Sequence, residues 1–116
     1  MSTTLTAITH QLDSAPGGAL SVTIPGDILS TNADTLHEEI FALLESAPVK
    51  AGQWNTLKLD LTGARMVDSV GLNLIVSIIR AVKSRPAKME ATLSSANIHR
   101  TFQFTCLDKQ MTLMKV

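Results

Sequence analysis

The sequence predicts an α/β domain with two layers, in which a mixed β-sheet carries its helices mainly on one face. Segments with strand and helix periodicity follow one another in the order β-β-α-β-α-β-α-β. Residues 57–61 (LKLDL) and 88–93 (KMEATL) alternate between apolar and polar side chains. A parallel strand covered on both faces is instead a continuous apolar run. Right-handed crossovers that always advance in the same direction also place their helices on one side of the sheet.

The first half of the chain predicts a hairpin followed by a helix. Residues 4–12 and 19–24 are rich in β-branched and apolar side chains and flank the turn-forming segment SAPGG. Ser30 or Thr31 is expected to cap the first helix, whose leucines and isoleucine recur at helical spacing. Ala47-Pro48 is expected to end it.

The second half predicts alternating strands and helices. A loop containing Gly52 and Trp54 leads into them. The elements are a strand at 56–61, a helix at 69–84 that stops before Pro86, a strand at 88–93, a short helix from Ser94 or Ser95 to about Cys106, and a strand at 110–115.

Length and composition predict a single domain spanning residues 1–116 and exclude several classes of function. Ten basic and ten acidic side chains give no net charge, and without a basic run neither nucleic-acid binding nor membrane-surface binding is expected. The longest apolar run, 74–82, is too short to span a bilayer. One cysteine and an N-terminus without signal-peptide features predict a cytoplasmic protein.

The junction between the central strand and the second long helix is the candidate functional site. Asp68 is placed to cap the helix, and Ser69 is its first residue. At about 100° per residue, an outward arc follows from Ser69. Its members are Ser69, Asn73, Val76, Ser77, Arg80 and Lys83. Gly71 disfavours a helix, which predicts close packing of the first turn against a neighbouring strand or a partner.

Other reactive side chains have ordinary structural interpretations. The three histidines lie in different elements and none belongs to an HExxH pattern, so no metal and no cofactor is expected. Cys106 is expected to be a small buried hydrophobe. Asp27, in the turn before the first helix, is a further candidate for partner contact.

The segments LKLDL (57–61) and VDSVGL (67–72) resemble the signature of the STAS family, which includes the bacterial anti-sigma factor antagonists. The order of elements is similar from about Leu20 to the C-terminus. The sequence departs from the antagonist pattern at two places. Val70 stands where a second Ser or Thr is common, and residues 26–29 (GDIL) replace the usual GELD.

The resemblance implies a small α/β domain whose serine after the aspartate, here Ser69, is phosphorylated by an anti-sigma factor serine/threonine kinase and restored by a serine phosphatase. The expected function is a non-enzymatic interaction switch. The unmodified protein binds the kinase through Asp68, Ser69, Asn73, Val76, Ser77 and Arg80, with Asp27 as a further contact.

Two alternatives remain open. In the first, the chain is a STAS subunit that is never phosphorylated, for example in a phospholipid-transport complex, and uses the same face constitutively. In the second, the chain is a small α/β hydrolase or transferase with Ser69 as nucleophile. The second alternative requires a histidine base within hydrogen-bond reach of Ser69, and the sequence predicts none there.

Overall fold

Five strands form one sheet, in which they lie side by side in the same order as along the chain. The computed structural model describes residues 7–116. The strands are β1 (Thr9–Leu12), β2 (Ala19–Thr23), β3 (Thr56–Leu61), β4 (Lys88–Leu93) and β5 (Thr112–Lys115). β1 is antiparallel to β2, and every other neighbouring pair is parallel.

Each parallel pair is joined by helical structure. The helices are α1 (Ala33–Glu45), α2 (Ala47–Ala51), α3 (Ser69–Lys83) and α4 (Ala96–Phe104), and a 3-10 turn at Leu107–Lys109 precedes β5. Because the three crossovers advance in one direction along the sheet, right-handed connections bring their helices to the same face. The predicted two-layer α/β architecture is confirmed.

The core lies between this helical layer and the inner face of the sheet. Alternate residues of β2, β3 and β4 are buried, including Leu20, Leu59 and Ala91. The outer face is polar: Ser21, Lys58 and Glu90 stand in register across the same strands. The alternation of apolar and polar residues in the sequence therefore indicates which face of the sheet packs against the helices.

The boundaries of several elements differ from the predicted ones. β1 begins at Thr9, and residues 4–6 of the predicted strand lie outside the described part of the chain. The prediction that Ser30 or Thr31 caps α1 is wrong, because the N-cap is Asn32. Its side chain accepts from the Leu29 amide and donates to a loop carbonyl, which closes the turn immediately before the helix.

The sequence prediction missed α2 and misplaced the end of α4. Pro48 does follow the end of α1, but it stands in the first turn of α2, where a missing amide costs nothing. α4 ends at Phe104 because Cys106 has a left-handed backbone conformation, φ 60°. The expectation that Cys106 is buried is wrong, since this turn leaves it exposed.

The amino ends of β3 and β4 are fastened by an arginine clamp. Arg85 lies over the Trp54 ring, 3.8 Å from its centre, and donates to the carbonyls of Val49, Gly52 and Trp54. Trp54 is buried, and its indole N–H also donates to Val49. This clamp holds α2 and the following loop against the end of α3, at the opposite end of the sheet from Ser69.

Candidate functional site

Two loops at the carboxyl ends of β2 and β3 form the framework of the site. They pair through a short parallel bridge between Ile28 and Val67. The Ile28 amide donates to the Met66 carbonyl at 3.1 Å, and the Asp68 amide donates to the Ile28 carbonyl at 3.2 Å. The loop that precedes α1 and the loop that precedes α3 are therefore fastened to each other.

Two aspartates reinforce this pairing in opposite directions. Asp27 Oδ1, in the first loop, accepts from the amides of Arg65 and Met66 in the second, at 2.7 and 3.1 Å. Asp68 Oδ2, in the second loop, accepts from the Ser30 amide in the first, at 2.8 Å. Each carboxylate thus accepts hydrogen bonds from loop amides that have no partner in a helix or a sheet.

Asp68 is also the N-cap of α3, as the sequence predicts. Its Oδ1 accepts from the Gly71 amide at 2.9 Å. Hydrogen bonds from Gly71 and then Ser30 favour the ionised carboxylate and hold the pKa of Asp68 below its ordinary value of 3.8. A charged acceptor therefore stands directly beside Ser69 at neutral pH.

Gly71 explains how closely the two loops approach. A Cβ at this position would lie closer than 3.0 Å to the Ile28 carbonyl oxygen and 2.9 Å from Val67 Cγ1. No real Cβ tolerates such a contact, so only glycine allows the first turn of α3 to pack on the paired loops. The close packing expected of Gly71 is found, but its neighbours are residues of the paired loops instead of the expected strand or partner.

Ser69 is exposed at the first position of α3. Within residues 7–116, no hydrogen bond engages its hydroxyl. Two apolar side chains close to it in the sequence, Met66 three positions earlier and Val70 directly after it, are 58% and 41% exposed. The result is a free hydroxyl beside apolar surface on a fixed backbone, and we call Met66, Ser69 and Val70 the Ser69 patch.

The remaining residues of the predicted arc differ in their exposure. Asn73 and Arg80 are exposed, whereas Val76 and Ser77 are only half-buried. The Ser77 hydroxyl donates to the Asn73 carbonyl within its own helix. Asn73 and Arg80 therefore present free polar groups along α3, while Val76 and Ser77 contribute the surface between them.

Met66 and Val70 are not among the site residues predicted from the sequence. The helical arc was counted from Ser69 onward, so a loop residue such as Met66 had no place in it. Val70 lies beside the serine on the first turn, where no preceding turn covers it. A methionine two residues before the capping aspartate is the one signal in the sequence, and on its own it is weak.

No histidine within residues 7–116 is hydrogen-bonded to Ser69. His37 stacks on Phe41, with ring centres 4.2 Å apart, and across residues 7–116 no hydrogen bond joins a histidine to Ser69. A serine nucleophile needs such a base within reach. The same residues contain no cluster of three side chains suited to a metal, and no helix among them is long and apolar enough to cross a bilayer.

Comparison with solved structures identifies the fold. A protein of Thermotoga maritima, assigned as a candidate anti-sigma factor antagonist, superposes with a TM-score of 0.77 at 17% identity, covering 94% of this chain and 86% of its own. An anti-sigma factor antagonist of Mycobacterium paratuberculosis gives 0.66 at 23% identity, covering 92% and 85%. The Bacillus cell fate determinant SpoIIAA, in its phosphorylated form, gives 0.62 at 16% identity, covering 93% and 91%.

These identities show a shared fold and no more. No curated protein sequence matches the chain. The family model described as the STAS domain, however, matches residues 12–116, a range that contains every element from β2 onward and both paired loops. The chain therefore belongs to the STAS domain family.

Proposed function

We propose that the protein is an anti-sigma factor antagonist that works as a phosphorylation switch. In this proposal, unmodified Ser69 allows an anti-sigma factor serine/threonine kinase to bind, and phosphorylation of Ser69 releases it. A serine phosphatase restores the binding form, and capture of the kinase frees a sigma factor. The switch would operate in the cytoplasm and would need no catalytic activity of this chain.

One observation supports the proposal above all others: the Ser69 hydroxyl is exposed and unengaged on a backbone that is already fixed. A kinase needs an accessible hydroxyl. A docking partner needs a surface that does not rearrange, and the Asp27 and Asp68 hydrogen bonds supply one. The fold is shared with anti-sigma factor antagonists, one of which was solved in unphosphorylated and in phosphorylated form.

The proposed contact surface is the Ser69 patch together with the α3 arc. Its arc residues are Asn73, Val76, Ser77 and Arg80, as expected from the sequence. Asp68 and Asp27 belong to the site in a supporting sense, since their carboxylates accept backbone amides of the paired loops. We therefore infer that both aspartates position the surface that a partner reads.

Phosphate on Ser69 would change what a partner meets more than it would change the fold. It adds about −1.5 to −2 charges at pH 7. The helix N-terminus favours an anion, but Asp68 already accepts the Gly71 amide and repels a second negative group. The dianion would then face solvent, and a partner with an apolar surface would have to desolvate it in order to bind.

The direct test is to incubate the protein with ATP and a candidate anti-sigma factor kinase and to measure its intact mass. One phosphate is expected on the wild type and none on Ser69→Ala. Ser84→Ala is the matched control, because Ser84 is an exposed serine at the other end of the same helix. Phosphate that persists on Ser69→Ala would refute Ser69 as the acceptor.

A binding experiment separates the switch from the constitutive STAS subunit. The purified kinase is expected to bind Ser69→Ala as it binds the wild type, and to lose affinity at least tenfold for the genuine phosphoprotein. A partner that binds both forms equally would contradict the switch. That result would favour a constitutive role for the same surface, such as in a phospholipid-transport complex.

A further inference from the structure

The net charge of the chain is zero, but its acidic and basic residues are unevenly distributed along the sequence. No lysine or arginine occurs before Lys50, and six of the ten carboxylates do. All ten basic side chains and the other four carboxylates follow from Lys50 onward. Charge asymmetry of this kind between halves of a sequence points to an interaction when the fold keeps the halves apart.

The sheet topology does keep them apart. Because the strands lie in chain order, β1, β2 and α1 occupy one side of the molecule, and α4 and β5 occupy the other. α1 packs beside α3, whereas α4 packs on β4 and β5. The asymmetry of the sequence thus becomes a charge dipole across a molecule 35 Å wide.

Three of the six carboxylates on the acidic side accept no backbone amide within the described residues. Asp13, Asp27 and Glu39 accept backbone amides and are engaged within the fold. The others are Asp34, Glu38 and Glu45, all exposed on α1. They lie within roughly 40° of each other around the helix and form an acidic stripe, of which only Glu45 has an ion-pair partner, Lys50, in the described chain.

The basic side is complementary to this stripe. Arg100 on α4, Lys109 in the 3-10 turn and Lys115 on β5 are exposed, and none has an ion-pair partner within residues 7–116. Asp108 is the one carboxylate nearby in the sequence. Phe104, at the end of α4, is 81% exposed, so this side also carries apolar surface that another molecule can cover.

We propose that the protein associates head to tail, with the basic side formed by Arg100, Lys109 and Lys115 docking on the acidic stripe of a second copy. The two surfaces lie on opposite ends of the same layer, so a translation along the sheet brings them together. Such a heterologous contact repeats from copy to copy and forms open arrays. Every copy in the array presents its Ser69 patch at the same edge, which allows a multivalent partner to engage several copies.

The expected effect of ionic strength on the association follows from a comparison of the Debye length with the width of the molecule. At about 0.01 M salt the Debye length is about 30 Å, close to the width of the molecule. At about 0.15 M salt it is about 8 Å, and only charges in contact still attract each other. The arrays are therefore weak, and they form most readily at low salt or on a multivalent partner.

Sedimentation equilibrium of the purified protein tests the proposal without reference to Ser69 phosphorylation. The weight-average mass is expected to rise above the 12.5 kDa monomer with concentration at low salt and to return to it at about 1 M salt, where the Debye length is about 3 Å. A wild type that stays at 12.5 kDa at every concentration and salt would overturn the proposal. The Ser69 switch would be unaffected by that result.

Charge-reversed variants test which surfaces meet. Asp34→Lys with Glu38→Lys, and Arg100→Glu with Lys109→Glu, should each abolish association, and mixing the two variants should restore it. The control is Lys58→Glu with Lys88→Glu on the open face of the sheet, which changes the net charge as much as the second variant does. Association lost equally in the control would show that net charge matters and would refute the proposed contact.

Discussion

At the scale of single residues, the site depends on backbone donors that carboxylates satisfy. Asp68 accepts from the helix it caps and from the neighbouring loop, and Asp27 accepts two amides in return. Both residues are fixed by hydrogen bonds that a partner need not supply. Ser69, directly after Asp68, is exposed, and its hydroxyl has no hydrogen-bond partner within residues 7–116.

Asp68→Asn is expected to destabilise the protein near neutral pH and to make little difference in acid. The pKa of Asp68 is lower in the folded state than its ordinary 3.8, so the ionised carboxylate stabilises the fold above about pH 4. This stabilisation is lost as the pH falls through the lowered pKa, whereas asparagine does not titrate. Urea unfolding of both proteins at pH 7 and pH 3 checks the expectation; a constant difference would contradict it.

Gly71→Ala is expected to destabilise the protein by about 1–3 kcal/mol, the usual result of overpacking. Alanine gains about 1 kcal/mol of helix propensity, but its methyl group collides with the Ile28 carbonyl. Asn73→Ala, at an exposed position of the same helix, is the control and should be nearly neutral. If Gly71→Ala is as stable as the wild type in urea, the paired loops make room for the methyl group without loss of stability. That result would contradict the expectation.

At the scale of elements, different sets of contacts stabilise the two ends of the sheet. The paired loops and their aspartates hold the carboxyl ends of β2 and β3. At the other end, Arg85 donates to three carbonyls around α2, and the Val49 carbonyl also accepts from the Trp54 indole N–H. α3 runs between these two sets of contacts, so the paired loops hold its first turn and Arg85 holds the segment after its last turn.

Arg85→Lys is expected to lower the free energy of unfolding by about 1–2 kcal/mol, although the charge is kept. Lysine cannot reproduce the planar fork or its stacking on an aromatic ring. Trp54 is the only tryptophan, so its fluorescence reports the change directly. Arg100→Lys is the control, since Arg100 is exposed; if both variants unfold alike, the clamp contributes nothing.

At the scale of the whole molecule, the proposed switch acts on binding while the fold persists. Ser69→Asp is therefore expected to change the free energy of unfolding by less than about 1 kcal/mol, as surface substitutions usually do. Circular dichroism and urea unfolding of Ser69→Asp and of the phosphoprotein measure this. A loss of several kcal/mol would instead mean that the charge acts by undoing the first turn of α3.

Periodicity and caps in the sequence were sufficient to predict the architecture and the position of Ser69. The alternation in residues 57–61 identifies a covered and an open face because side chains on a strand alternate strictly. Asp68 before an apolar helical run identifies the start of α3 because the first amides of a helix need an acceptor. Both features depend on residues that are close together in the sequence, so they can be recognised from the sequence alone.

Contacts between distant segments were decided only by the tertiary structure. Asp27 meets residues 38 and 39 positions later in the chain, and Asp68 meets Ser30 across the same gap. Asn32 replaced the expected cap, and Cys106 was left exposed, for reasons set by the path of the chain in space. By itself the sequence determined the layers and the serine, because these depend on neighbours along the chain. The pairing of loops that fixes the serine, and the separation of charge across the sheet, depend on which strands lie side by side.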